Sequence, residues 1–172
     1  MQDQTAIAAA KALLDICTRK KLTLATAESC TGGLVSATIS EISGSSAVLD
    51  RGFVTYSNDA KQQMLGVTPA TLEVHGAVSR ECAEEMAKGA LAHAPVDLAV
   101  SITGIAGPTG AVPGKPVGLV FFCAASRNGR TISHEHRYGD IGRAAVRRES
   151  VLQALAMLRE LAEQEHARRA ES

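Results

Sequence analysis

The segment AESCTGG places a serine, a cysteine and a threonine directly before two glycines. Ser29 and Cys30 are residue types that attack carbonyl carbons in covalent catalysis. If the chain turns here from a strand into a helix, the N–H groups from Cys30 through Thr31 and Gly32 to Gly33 point outward and can hold an oxyanion or a phosphate. The glycines lack Cβ, so a ligand can approach the backbone closely. A serine that caps a helix, followed by glycines in a tight turn, is the simpler structural interpretation.

A serine nucleophile needs a base, and Lys61 is the candidate that the sequence favours. His75 precedes a glycine that ends a helix, and His134 and His136 fall within a strand pattern, so no histidine is well placed. Lys61 is expected one turn into a helix that follows a neighbouring strand. A lysine desolvated in a cleft can lose its proton near neutral pH. An ordinary surface cation is the alternative.

Two other chemistries remain open. Cys30 is intrinsically the stronger nucleophile, which would make the protein a thiol hydrolase. His134, His136 and Asp140 could be metal ligands because the two histidines share one strand face, but no further ligand group stands out. A solvent-facing strand explains these histidines more simply, and we predict neither a metal nor a cofactor.

The charge balance of the chain means that a binding site for an anion must be formed by a few neighbouring residues. Eighteen basic and 18 acidic residues cancel, so no overall field draws the protein toward nucleic acid or an anionic membrane. Arg143 and Arg147 share one face at the start of the last helix and could clamp a phosphate, although a solvated face is an equal alternative. The turn from Gly44 to Ser46 is a second candidate phosphate cradle.

Hydrophobic periodicity and capping signals predict alternating helices and strands. Three helices are expected over residues 5–20, 34–42 and 59–65, and three more are expected to begin at residues 69, 80 and 143. The strands are expected over residues 22–27, 51–57, 96–104, 118–126 and 131–139. The pattern is typical of a three-layer α/β/α sandwich with a mixed, largely parallel sheet. We expect one domain over residues 1–172.

Ligands of open α/β sheets bind beyond the carboxyl ends of the strands. The turn after the second predicted strand offers Tyr56 and Lys61, and the turn after the third offers Thr103 and Gly104. The loop that follows, GIAGPTGAVPGKPVG, is long for a compact domain and is therefore expected to be functional.

Compartment and membrane signals point to the cytoplasm. The cysteines are widely spaced and form no C-x-x-C pair, so they are expected to be reduced core thiols. The amino terminus lacks a signal-peptide pattern, and no apolar run approaches the roughly 20 residues that span a bilayer. We also expect a homodimer or higher homo-oligomer, because a chain with few aromatic residues leaves exposed apolar surface that a second copy of the chain can cover.

Several long motifs occur in a fixed order: TAESCTGG, ISGSSAVLDRGFVTYSNDAKQQMLGV, HGAVS, SITGIAGPTG and KPVGLVFF. Together they closely resemble the CinA carboxy-terminal domain family, which includes stand-alone nicotinamide mononucleotide amidohydrolases. The resemblance runs from about Thr23 to Leu158. It implies an α/β/α fold, no metal, and hydrolysis of nicotinamide mononucleotide to nicotinate mononucleotide and ammonia in pyridine nucleotide recycling.

The resemblance also implies residue roles. Ser29 and Lys61 match the serine and lysine of the family's Ser-Lys dyad, and Tyr56 and Thr103 are expected to line the site. Arg143 matches the arginine of the family's GDR signature, although GDIGR stands here, so Arg147 remains a rival. Two other functions stay open: a non-catalytic nucleotide-binding or regulatory module linked to competence or DNA damage, and a hydrolase of the same mechanism acting on another small amide.

Overall fold

The computed structural model describes residues 3–167; residues 1, 2 and 168–172, which the expected domain includes, lie outside the described residues. Helices and strands alternate along this part of the chain. The helices are α1 (Gln4–Lys20), α2 (Leu34–Ser40), the short 3-10 helix η1 (Ser45–Ala47), α3 (Asn58–Leu65), α4 (Pro69–Val74), α5 (Arg80–His93) and α6 (Arg143–Gln164). The strands are β1 (Leu24–Glu28), β2 (Leu49–Val54), β3 (Leu98–Gly104), β4 (Leu119–Ser126) and β5 (Thr131–Arg137).

The strands form one sheet in the order β2-β1-β3-β4-β5. β1 pairs in parallel with both β2 and β3, whereas β4 is antiparallel to β3 and to β5. Glu28 at the end of β1 lies opposite Val54 of β2 and Ile102 of β3. The carboxyl ends of three neighbouring strands therefore meet at one edge of the sheet.

Helices cover both faces of this sheet. α1, α2 and α6 pack together on one face, and α6 contacts β3 and β4. On the other face, α5 packs on β1, β3 and β4, and α3 and α4 pack against α5. The predicted α/β/α sandwich with a mixed sheet is confirmed.

Buried strands explain the apolar runs of the sequence. Every residue of β1 is buried, and all of β3 is buried except Gly104, as expected for strands covered on both faces. All four cysteines are free and buried, which confirms the predicted core thiols. No helix within residues 3–167 is both long and apolar enough to cross a membrane.

The second strand differs from its prediction. It begins at Leu49 and ends at Val54 instead of covering 51–57. Its pairing with β1 stops where the N–H of Thr55 donates to the carbonyl of Glu28, 2.9 Å away, and the chain then turns into α3. The residues after Thr55 are therefore free to form the turn that leads to Lys61.

The cap of α3 is also one residue earlier than predicted. Ser57, not Asn58, is the N-cap, because its hydroxyl accepts a hydrogen bond from the N–H of Ala60 at 3.0 Å. A serine in extended conformation satisfies one of the unpaired donors of the first turn. Thr68 and Ser79 cap α4 and α5 as predicted.

Candidate active site

Ser29 and Lys61 form a direct pair at the carboxyl edge of the sheet. Nζ of Lys61 lies 3.1 Å from Oγ of Ser29 and donates to the carbonyl oxygen of Thr55 at 3.0 Å. Ser29 directly follows β1, and Lys61 lies one turn into α3. The distance suits proton transfer between a nucleophile and its base.

Lys61 is buried, with 2% of its surface exposed. Burial lowers the pKa of Lys61 below its usual range, because the charged ammonium loses its hydration. Within residues 3–167 no carboxylate forms an ion pair with it. The surroundings therefore favour the neutral amine, and the surface-cation alternative is wrong.

Cys30 is a poor nucleophile in this setting. Its side chain is 6% exposed and belongs to the main hydrophobic core. Burial raises the pKa of the Cys30 thiol to about 12, so the reactive thiolate is scarce near neutral pH. The structure therefore favours Ser29 over Cys30 as the nucleophile.

The turn after Ser29 is not a serine cap. The N-cap of α2 is Gly33, four residues later, in the left-handed conformation with φ 101°. The buried carboxylate of Glu28 serves the helix instead, since it accepts the N–H groups of Val35 at 2.9 Å and Ser36 at 3.1 Å. No pattern in the sequence indicated this role, because Glu28 lies seven and eight residues before its partners.

Some backbone N–H groups of this turn donate hydrogen bonds within the fold, and others have no acceptor there. The N–H of Ser29 donates to the carbonyl of Ile102, and the N–H of Gly32 donates to the carbonyl of Ser29, both at 2.9 Å. Gly32 is therefore not available as an oxyanion donor, contrary to the prediction. The N–H groups of Cys30, Thr31 and Gly33 have no acceptor within the described residues. Thr31 is fully buried, and of these three residues Cys30 is the one that lines the pocket beside Ser29, so its N–H is the donor best placed for a ligand.

A pocket opens beside Ser29 between the ends of the strands and the loop after β3. Its lining comprises Ser29, Cys30, Tyr56, Gly104, Ile105, Ala106, Gly107, Thr109, Gly110 and Arg143. Five predicted site residues from three separate turns and α6 thus meet at one pocket. The loop after β3 supplies all the remaining residues of the lining.

The two rival arginines have different places. Arg143 lines the pocket, where it donates to the hydroxyl of Tyr56 at 2.7 Å and to the carbonyl of Gly107 at 2.9 Å. Arg147 instead donates to the carbonyls of Cys30 and Thr31 in the turn. Arg143 is therefore the arginine placed to contact a bound ligand.

The predicted site residues Thr31, Gly32 and Gly33 do not line this pocket, and Thr103 and Ser46 are also apart from it. The hydroxyl of Thr103 is buried and donates to the carbonyl of Ala77 at 2.8 Å, so it is not free to contact an oxyanion. Ser46 lies in η1, which leads into the amino-terminal end of β2. β2 spans six residues, about 20 Å. Within one chain, the predicted cradle at Gly44–Ser46 is thus at the opposite edge of the sheet.

The histidines of β5 form an aromatic stack. The rings of His134 and His136 lie 6.1 Å apart, and His136 stacks on Tyr138 at 5.2 Å. No group of three or more His, Cys, Asp or Glu side chains that could hold a metal ion occurs between residues 3 and 167. These rings therefore lie side by side on one face of the edge strand β5.

Comparison with known proteins agrees with this geometry. A family model described as the CinA C-terminal domain matches residues 6–162. The chain belongs to the CinA C-terminal domain family. A structure from Agrobacterium tumefaciens, described as competence/damage inducible protein CihA, is 50% identical with a TM-score of 0.92, over 94% of this chain and 98% of that one.

Curated relatives of this chain carry different names. The nicotinamide-nucleotide amidohydrolase PncC of Escherichia coli (strain K12) is 54% identical over 137 residues, which are 79% of this chain and 82% of that protein. A putative competence-damage inducible protein of Acetivibrio thermocellus is 46% identical over 151 residues, or 88% of this chain and 35% of that one. The first relative is nearly matched in length, and the second is much longer.

Proposed function

We propose that this protein hydrolyses the carboxamide of nicotinamide mononucleotide to nicotinate mononucleotide and ammonia, with Ser29 as the nucleophile and Lys61 as its base. The buried contact between Oγ and Nζ carries the proposal, because it joins a nucleophile to an amine whose surroundings favour the neutral form. The amidohydrolase relative that is 54% identical supports the choice of substrate.

In the first half-reaction, neutral Lys61 accepts the hydroxyl proton as Oγ of Ser29 attacks the carboxamide carbon. The tetrahedral oxyanion is held by the N–H of Cys30, which adjoins Ser29 in the pocket wall and has no acceptor within the described residues. Lys61 then gives its proton to the departing nitrogen. Ammonia leaves, and the nicotinoyl group remains as an ester on Ser29.

In the second half-reaction, water replaces ammonia. Lys61 accepts a proton from the water as its oxygen attacks the ester carbon, and it returns that proton to Oγ of Ser29. The products are nicotinate mononucleotide and the free enzyme. One base of intermediate proton affinity serves both halves, which is why a buried lysine suits the task better than a solvated one.

Arg143 is the proposed partner of the nucleotide phosphate. It lines the pocket within the same wall as Ser29, and its present acceptors are neutral oxygens of Tyr56 and Gly107. A phosphate dianion would be a stronger acceptor for the guanidinium than either of them. We propose a single catalytic domain and a small-molecule substrate. Four free thiols support a reducing compartment such as the cytoplasm.

Ammonia release from nicotinamide mononucleotide tests the proposal directly. We expect wild type to be active, Ser29→Ala and Lys61→Met to lose activity by about 10³-fold or more, and Cys30→Ala to keep it. Circular dichroism checks that each variant folds. Loss in Cys30→Ala alone would transfer the nucleophile to the thiol. Binding of the nucleotide by wild type without any ammonia would leave a binding module as the function.

A further inference from the structure

Gly89 lies in the interior of α5, where its backbone touches the carboxyl end of α3. The residue is buried, and a Cβ atom added to it would lie 1.9 Å from the carbonyl oxygen of Leu65 and 2.7 Å from its carbonyl carbon. Both atoms belong to the backbone, so no rotation of a side chain can make room. Glycine disfavours a helix interior, and this close approach of two helices is what the missing side chain permits here.

Leu65 is connected to Lys61 through one helical turn. These two are the buried residues of α3, and their spacing of four places them on the same face of the helix. The turn after them is closed by backbone hydrogen bonds from Val67 to the carbonyl of Lys61 at 3.1 Å and from Gly66 to that of Gln62 at 3.0 Å. A displacement of Leu65 therefore moves Lys61 with it.

α5 also holds the segment that follows α3. The N–H of Thr68 donates to Oε1 of Glu85 at 3.0 Å. Leu65 and Val67 belong to one buried apolar cluster with Met86 of α5. α5 therefore forms a surface against which α3 and the segment after it are positioned.

We propose that Gly89 is a positioning residue whose missing side chain lets α3 approach α5 closely enough for Nζ of Lys61 to reach Oγ of Ser29. The inference rests on the proposed function, because it concerns the nucleophile and the base of that reaction. An ordinary van der Waals contact needs at least 3.4 Å, so an alanine here would separate Leu65 from α5 by about 1.5 Å. A shift of this size breaks a hydrogen bond of 3.1 Å.

Steady-state kinetics with nicotinamide mononucleotide provide the first test. We expect Gly89→Ala to lower kcat about 100-fold, because a base displaced by an ångström loses its alignment with the nucleophile. KM should change by less than about threefold, since among the described residues none of α3 or α5 lines the pocket. A loss confined to kcat is what a displaced base predicts.

Ala87→Gly is the matched control on the same helix. Ala87 is buried in a separate apolar cluster with Ala83, Cys123 and Ala125, on the side of α5 that faces β4. The substitution removes a buried methyl group and weakens the helix, so it should lower Tm. It leaves the contact with Leu65 in place, and kcat should stay within about twofold of wild type.

The pH profile separates a displaced base from a general loss of stability. Parting α3 from α5 admits water to Lys61 and raises its pKa toward the usual value, so kcat/KM of Gly89→Ala should level off about one pH unit higher or more. The titratable groups that interact with Lys61 are the thiols of Cys30 and Cys82. Burial raises their pKa to about 12 and about 11, so both stay neutral over most of the profile. Ala87→Gly should keep the wild-type profile.

Crystal structures of the variants give a readout that needs no activity. The distance from Nζ of Lys61 to Oγ of Ser29 should lengthen by about 1 Å or more in Gly89→Ala and stay unchanged in Ala87→Gly. If Gly89→Ala does not fold, Glu85→Ala loosens the same contact between helices without adding atoms, because it removes the acceptor of the Thr68 N–H. That variant should lower kcat about threefold to tenfold at constant KM.

Four results would overturn the inference. The first is an unchanged distance between Lys61 and Ser29 in a folded Gly89→Ala protein, whatever its activity. The second is wild-type kcat in that variant or, if it does not fold, in Glu85→Ala. The third is an equal loss of kcat in Ala87→Gly, and the fourth is a rise in KM at constant kcat. An inactive wild type with a lengthened distance in Gly89→Ala would instead reject the proposed substrate and support the positioning role.

Discussion

Nζ of Lys61 and Oγ of Ser29 lie 3.1 Å apart although 32 residues separate them in the chain. The contact arises because β1 and β2 are parallel neighbours whose carboxyl ends lead into the nucleophile turn and into α3. Ser29 is 9% exposed and Lys61 is 2% exposed, so little water reaches the pair. A shielded amine beside a hydroxyl has chemical consequences that depend on pH.

The activity should rise with pH on the acid side of the optimum. Because burial lowers the pKa of Lys61, a usable fraction of neutral amine exists below the pH at which an exposed lysine would deprotonate. Below that pKa, kcat/KM should increase about tenfold per pH unit and then level off as Lys61 becomes neutral. Measuring kcat/KM between pH 5 and pH 10 checks this. A profile that first levels off near the ordinary lysine value would contradict a functional role of burial.

Lys61 should also reduce the stability of the fold. In the unfolded chain Lys61 keeps its ordinary pKa, whereas in the native state its pKa is lower, so the unfolded state binds more protons between the two values. In that window, stability should rise with pH by about 1.4 kcal/mol per unit from this residue alone. Below the native pKa the penalty is fully present, and above the unfolded pKa it vanishes.

Lys61→Met tests this balance by replacing the amine with an apolar side chain of similar length. We expect a higher free energy of unfolding than wild type at neutral pH, and a difference that shrinks as pH approaches the unfolded pKa. Urea unfolding at several pH values measures it. Lys88→Met, at an exposed position of α5, is the control and should show no such trend. Lower stability of Lys61→Met at every pH would mean that the hydrogen bond to Thr55 outweighs desolvation.

Local sequence signals predicted the starts of helices well where a single capping residue determines them. Thr68 before Pro69, and Ser79 before α5, cap their helices as expected. The cap of α3 was misplaced because Ser57 and Asn58 are equally good capping types, and only the end of the β1 pairing selects between them. Strand ends depend on the partner strand, which no local pattern reveals.

Removing the charge of Glu28 should weaken the turn without touching the pocket. Glu28→Gln replaces one carboxylate oxygen by an amide donor that would face the N–H of Val35 or Ser36. We expect a loss of about 2 kcal/mol in the free energy of unfolding and of about 4–8 °C in Tm. Differential scanning calorimetry measures both, and exposed Glu160→Gln is the control. Equal stability of the two variants would show that α2 does not depend on the carboxylate.

The site was predictable where motif residues follow neighbouring parallel strands. Ser29, Tyr56 and Gly104 meet at one pocket because β1, β2 and β3 end at the same edge. Ser46 did not join them, because its turn precedes β2 and so lies at the other edge. Whether a residue reaches the pocket depends on which end of a strand it adjoins, and its chemistry alone does not determine this.

The contact between Arg143 and Tyr56 should govern affinity for the phosphate end of the substrate. Arg143→Ala should raise KM for nicotinamide mononucleotide about 30-fold to 100-fold, because a charge-assisted hydrogen bond is lost, while kcat falls little. Tyr56→Phe should raise KM about threefold to tenfold, since it removes only the hydroxyl that orients the guanidinium. Nicotinamide riboside, which lacks the phosphate, separates the roles: the preference of wild type for the nucleotide over the riboside should disappear in Arg143→Ala. If both substrates lose activity equally in that variant, Arg143 shapes the pocket through Gly107 and does not bind the phosphate.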